Sequence, residues 1–134
     1  MPNLANTTIL IAEDERPVRM LLRVVLEAAG ARVIEGDDGV QALRLLDLHP
    51  EVDLVCTDMN MPGLGGLGVI AGVRARRPEL PIVVCSALDL RDGQAQVAGS
   101  IDGLVQKPFI PGDLIRTMRT ALDRVTDHRR VAAS

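Results

Sequence analysis

Tryptophan and tyrosine are absent from this 134-residue sequence, and Phe109 is its only aromatic residue. The core must therefore be built from Leu, Val, Ile, Ala and Met. A surface on which nucleic-acid bases stack is not available. Long apolar runs are missing too: no stretch approaches the ~20 residues that a membrane-spanning helix requires. Positive charge is thin. The formal net charge is -3, and the only adjacent basic pairs are Arg76-Arg77 and Arg129-Arg130. No nucleic-acid footprint and no membrane contact are expected from that balance. Residues 1–8 are polar, without a charged segment leading into an apolar one, so no signal peptide is read. Cysteine is scarce: Cys56 and Cys85 each sit inside an apolar run. Buried, reduced thiols in a cytoplasmic protein are the expected state, and a disulfide is the less favoured alternative.

What is present describes an ordinary globule, with 47% hydrophobic and 25% charged residues. The length suits one domain spanning 1–134. Apolar, β-branched runs at 8–12, 31–35, 52–57, 81–86 and 103–106 read as strands. Between them, helical spacing appears at Val18, Leu21, Leu22, Val25 and Ala29, closed by Gly30. Further helices are read at 40–48, 67–77, loosely at 88–99, and at 113–127, with the tail from His128 expected to fray. Five strands alternating with five helices call for a parallel sheet covered on both faces.

In such sheets ligands bind outside the carboxyl ends of the strands. Here the first strand runs into Glu13-Asp14-Glu15, the third into Asp58, the fourth into Ser86 and the fifth into Lys107. Parallel strands bring all four ends to one edge. Glu13, Asp14 and Asp58 crowd like charges, which is costly without a cation. Hard oxygen donors with several waters suit Mg²⁺. A carboxylate beside a divalent cation and an ammonium can attack an electrophilic phosphorus, with the positive groups neutralising the phosphoryl oxygens. Ser86 can donate to one of those oxygens. Lys107 is the only lysine among 15 basic residues, so a chain that otherwise uses arginine keeps one compact ammonium here. Glu15 reads as part of a solvated turn, and Asp37 and Asp38 as turn residues.

Four segments carry a resemblance: Ile9-Leu-Ile-Ala-Glu-Asp-Glu-Arg-Pro17, Asp58-Met-Asn-Met-Pro-Gly63, Val83-Val-Cys-Ser-Ala87 and Lys107-Pro-Phe109. Together they make the chain, over about residues 7–125, similar to the receiver domain of two-component response regulators. The resemblance implies a flavodoxin-like, doubly wound five-stranded sheet in the order 2-1-3-4-5. It also implies that Asp58 is the phospho-acceptor, that Ser86 is the switch hydroxyl and that Lys107 is the charge partner. Mg²⁺ would be held by Glu13, Asp14, Asp58 and the backbone carbonyl of Asn60, with Asp14 the more direct of the first two. The Lys107-Pro108 peptide would be cis. The implied donor is a phosphohistidine on a sensor histidine kinase or a histidine phosphotransfer protein, and the implied output is a downstream protein target.

The chain departs from the family at three places. Leu104 stands where an aromatic switch residue is common, three residues before the lysine. Gly65 replaces a frequent aspartate, and Gly68 a larger polar residue, which suggests a mobile loop. With about seven residues left after the last expected helix, too few for a DNA-binding module, the sequence reads as a stand-alone switch, and no enzyme is expected. The alternative is a Mg²⁺-dependent phosphohydrolase with Asp58 as nucleophile. It expects a second acid two residues on, where Asn60 stands and cannot transfer a proton.

Overall fold

The computed structural model describes residues 3–87 and 101–133, with side chains described as far as residue 124. Five strands form one sheet: β1 (Thr8–Ala12), β2 (Arg32–Gly36), β3 (Leu54–Asp58), β4 (Ile82–Ser86) and β5 (Gly103–Gln106). Their order is β2-β1-β3-β4-β5, and every neighbouring pair is parallel. The helices are α1 (Arg16–Ala28), α2 (Gly39–Leu48), α3 (Gly66–Arg76) and α4 (Pro111–Ala133). Four helices are thus present among the described residues rather than the five expected. The segment read as helical at 88–99 lies outside the described residues.

Successive strand side chains point to opposite faces, and both faces are covered. Ile9, Ile11, Leu54, Cys56, Val83 and Cys85 face one cluster, with Leu22 and Leu26 of α1 and Leu114, Met118 and Ala121 of α4. Leu10, Ala12, Val55, Ile82 and Val84 face the other, with Ala42 and Leu46 of α2 and Val69, Ile70 and Val73 of α3. β1, β3 and β4 are buried along their whole length, whereas the outer strands β2 and β5 are only partly so.

Local chemistry sets the boundaries. Pro17 lies in the first turn of α1, where its missing N–H costs nothing. Gly30 ends that helix with φ 100°, and the Ala31 amide reaches back to the Leu26 carbonyl at 3.1 Å. Asp38 is more than a turn residue: it caps α2, its carboxylate accepting from the Gln41 amide at 2.7 Å. β3 begins at Leu54, two residues later than expected. The Val52 amide closes a turn on the His49 carbonyl, and the Asp53 carboxylate accepts the Thr8 amide. α4 continues to Ala133, past the expected bound at Asp127: no glycine or proline follows Gly112, and the last residues include good helix formers.

Ile11 is fully buried at the centre of the first cluster. Ile11→Ala should cost about 4 kcal/mol and Ile11→Val about 1 kcal/mol in urea unfolding. An Ile11→Ala loss as small as that of Ile11→Val would show that this face is not tightly packed.

Candidate functional site

Every expected site residue except Asn60 is placed by a strand end. Glu13 and Asp14 follow β1, Asp58 is the last residue of β3, Ser86 the last of β4, and Lys107 follows β5. The parallel sheet therefore delivers them to one edge. Glu13 is 1% exposed and Asp58 7%; Asp14 is half-buried. One carboxylate oxygen from each of the three lies within 4.8 Å of the others. Three hard oxygen donors at that separation, partly open to water, fit Mg²⁺. Asn60 lies two residues beyond the strand, exposed between half-buried Met59 and buried Met61.

Lys107 enters from the other side. Its Nζ donates to Glu13 Oε1 at 2.7 Å and lies 3.6 Å from Asp58 Oδ2. Glu13 Oε2 accepts the Glu15 amide at 3.1 Å. Both oxygens of Glu13 are thus engaged, while Asp14 and Asp58 offer the freer carboxylates. Burial pushes the Glu13 carboxyl above the ordinary carboxylate value, and the bonds from Lys107 and the Glu15 amide pull it back only in part. Burial alone would lower the Lys107 ammonium. The hydrogen bond to Glu13 and the charges of Glu13 and Asp58 outweigh it, and the ammonium sits above its usual value.

Sequence reasoning missed several supports. Arg19, one turn into α1, donates to the Glu13 carbonyl at 2.9 Å and lies 3.7 Å from Glu35. Thr57 is fully buried, and its hydroxyl donates to the Asp58 carbonyl at 3.0 Å. A Cβ on Gly66 would lie 2.6 Å from Met59 Cα and 2.7 Å from the Asp58 carbonyl oxygen, so α3 starts hard against the end of β3 only because residue 66 is glycine. An arginine shortly after an acid triplet was a legible signal; the other two were not. Ser86 is fully buried, and its carbonyl accepts the Lys107 amide at 2.7 Å. The Lys107-Pro108 peptide is cis.

Cys56 and Cys85 are free and buried, with their sulfurs 3.4 Å apart. The contact with Cys85, together with burial, pushes the Cys56 thiol up and keeps it protonated. Leu104 is half-buried opposite Val84 and packs on the α2/α3 side. No described helix is long and apolar enough to cross a membrane.

The family model of the response regulator receiver domain matches residues 9–119. The transcriptional regulatory protein PdtaR of Mycobacterium tuberculosis is 39% identical over 119 residues, which cover 87% of this chain and 57% of that protein. The response regulator GtcR of Aneurinibacillus migulanus is 35% identical over 118 residues, covering 87% and 48%. The chain thus spans about half the length of the curated relatives it matches. Among solved structures, a sensor protein from Polaromonas sp. JS666 superposes with a TM-score of 0.81 at 28% identity, covering 89% of this chain and 98% of that one. The chemotaxis protein CheY4 of Vibrio cholerae gives 0.82 at 24% identity, covering 87% and 99%, and shows the shared fold. One expectation is corrected by these relatives. The acidic balance of a receiver segment reports only its own surface, so it does not exclude nucleic acid from the work of a family whose members include named transcriptional regulators. The fold, the strand-end residues and the match over residues 9–119 agree: the chain belongs to the response regulator receiver domain family.

Proposed function

We propose that Asp58 accepts a phosphoryl group from a phosphohistidine on a sensor histidine kinase or a histidine phosphotransfer protein. An Asp58 carboxylate oxygen forms the new bond to phosphorus. The P–N bond to the donor imidazole breaks, and its electron pair leaves with the ring nitrogen. Asp14, Asp58 and the Asn60 backbone carbonyl are the residues that would hold Mg²⁺, with Glu13 behind them. When bound, the ion neutralises charge on the phosphoryl oxygens. Lys107 supplies the second positive charge, and the Ser86 hydroxyl donates to a phosphoryl oxygen as the switch contact. The observation that carries this reading is the meeting of three carboxylates within 4.8 Å beside the chain's one lysine.

The output is part of the proposal. Phosphorylation changes the affinity of this domain for a protein surface, either a separate downstream target or a further segment of a longer chain. The buried free thiols agree with a reducing, cytoplasmic setting. The phosphohydrolase alternative gains no support: the residue two positions after the nucleophile is Asn60, and an amide cannot act as general acid or base.

Incubation with Mg²⁺ and acetyl phosphate, followed by intact-mass measurement, tests the assignment. The wild-type chain should gain one phosphate, and Asp58→Asn should gain none while keeping its circular dichroism spectrum. Phosphate uptake by Asp58→Asn at the wild-type rate would remove Asp58 as the acceptor.

A second prediction follows from the ion pair. Lys107→Met leaves the Glu13 carboxylate buried without its cation and should cost about 3 kcal/mol at neutral pH. Native Glu13 holds its proton to higher pH than the unfolded chain does, so stability falls as pH rises from the unfolded carboxyl range through the raised native value. Without Lys107 that fall should steepen. Urea unfolding of the variant at about pH 5 and about pH 8 reads it directly. Equal stability at the two values would mean that Glu13 is not held in a desolvated site.

A further inference from the structure

The loop from Met59 to Gly65 carries Asn60 and leads from Asp58 into α3. Two of its anchors are plain: the Gly66 amide donates to the Met59 carbonyl at 2.9 Å, and Met61 is buried in the α2/α3 cluster. Leu64 is the third. It occupies space that two glycines leave open. A Cβ on Gly68 would lie 2.1 Å from Leu64 Cδ1 and 2.7 Å from its Cγ. On the other side, a Cβ on Gly39 would lie 2.5 Å from the Leu64 carbonyl oxygen and 3.2 Å from its Cβ. Neither glycine has a positive φ. Conformational freedom does not call for glycine at either position, and space does.

We propose that Leu64, seated between Gly39 of α2 and Gly68 of α3, is a positioning residue that fixes the register of the Asn60 loop and thereby the affinity for a divalent cation. This rests on the reading that Asp14, Asp58 and the Asn60 backbone carbonyl hold Mg²⁺. The glycines at 65 and 68, which the sequence alone suggests loosen the loop, act in opposite senses. Gly65 caps α3 without a side-chain bond, while Gly68 opens the seat that holds Leu64. A methyl group at residue 68 evicts that side chain. Leu64 cannot retreat toward Gly39, because its own backbone already lies against that residue. The side chain would swing into the groove beside Val40 and Leu43, and the loop would lose its third anchor.

Gly68→Ala separates this role from simple packing. Alanine is the better helix former, so propensity alone favours the variant. Calorimetric titration of the full chain with Mg²⁺ gives the dissociation constant, and melting in EDTA gives stability. Gly68→Ala and Leu64→Ala should each weaken Mg²⁺ binding by about tenfold, the lower end of what changes behind a metal's ligands cost. The double variant should bind no more weakly than the poorer single one, because both changes break one contact. Leu64→Met, which can refill the seat, should stay within about twofold of wild type. Wild-type affinity in Gly68→Ala overturns the proposal, and so does a loss of affinity that appears only where the EDTA melting temperature falls in step. If Leu64→Ala does not fold, Gly68→Ala and Leu64→Met decide alone. A wild-type chain that binds no Mg²⁺ fails the site reading itself. A wild type that binds, with variants that bind equally, fails only the role of Leu64.

Discussion

Like charge gathered at one edge of a parallel sheet is the constraint on which the rest of this structure turns. Parallel pairing brings the carboxyl ends of β1 and β3 side by side, and the chain places Glu13, Asp14 and Asp58 there. Two of those carboxylates are almost wholly withdrawn from water. Such a cluster persists only where neighbours offset it. Lys107 does so from β5, the Glu15 amide from the turn, and the Arg19 guanidinium through the Glu13 carbonyl. What remains is a pocket short of positive charge, suited to a small hard cation.

The scaffold holds that edge with packing that is almost free of aromatic residues. With one aromatic ring in the chain, neither core cluster contains Trp or Tyr, and close approach is obtained from glycine instead. Gly66 lets α3 start against the Asp58–Met59 backbone, Gly72 lets it lie on Leu43 of α2, and Gly103 lets β5 meet Thr117 of α4. Leu104 belongs to the same economy. It already packs half-buried against the α2/α3 cluster, so a large inward swing of a ring is not available to report the state of Asp58. On the proposed reading, a modest coupling of about 1 kcal/mol would then fall to Ser86 and to groups beside Asp58.

Much of this was legible because strand ends are. β1 and β5 were read at their observed bounds, and Glu13, Asp14, Asp58, Ser86 and Lys107 were read at one edge because parallel topology leaves no other arrangement. The Glu13–Lys107 contact was not legible. Three carboxylates competed for one ammonium, and only side-chain geometry shows that the longer acid takes it at 2.7 Å while Asp58 stays at 3.6 Å. Gly68 reads in the sequence as a source of looseness, and the structure fills the space beside it with Leu64, since a missing side chain looks the same in sequence whether it frees the backbone or seats a neighbour. β3 was begun too early at Val52, because a buried residue in a turn has the same apolar signature as one in a strand.

Melting the wild type and Asp58→Asn, each in EDTA and in millimolar Mg²⁺, tests the claim of charge crowding most directly. The account predicts that Mg²⁺ raises the wild-type melting temperature, because the ion binds only the folded cluster. It predicts that Asp58→Asn melts above the wild type in EDTA, because one of three crowded charges is gone. It also predicts that the variant loses most of the rise with Mg²⁺. A wild-type melting temperature indifferent to Mg²⁺, with Asp58→Asn no more stable than its parent in EDTA, would contradict the account.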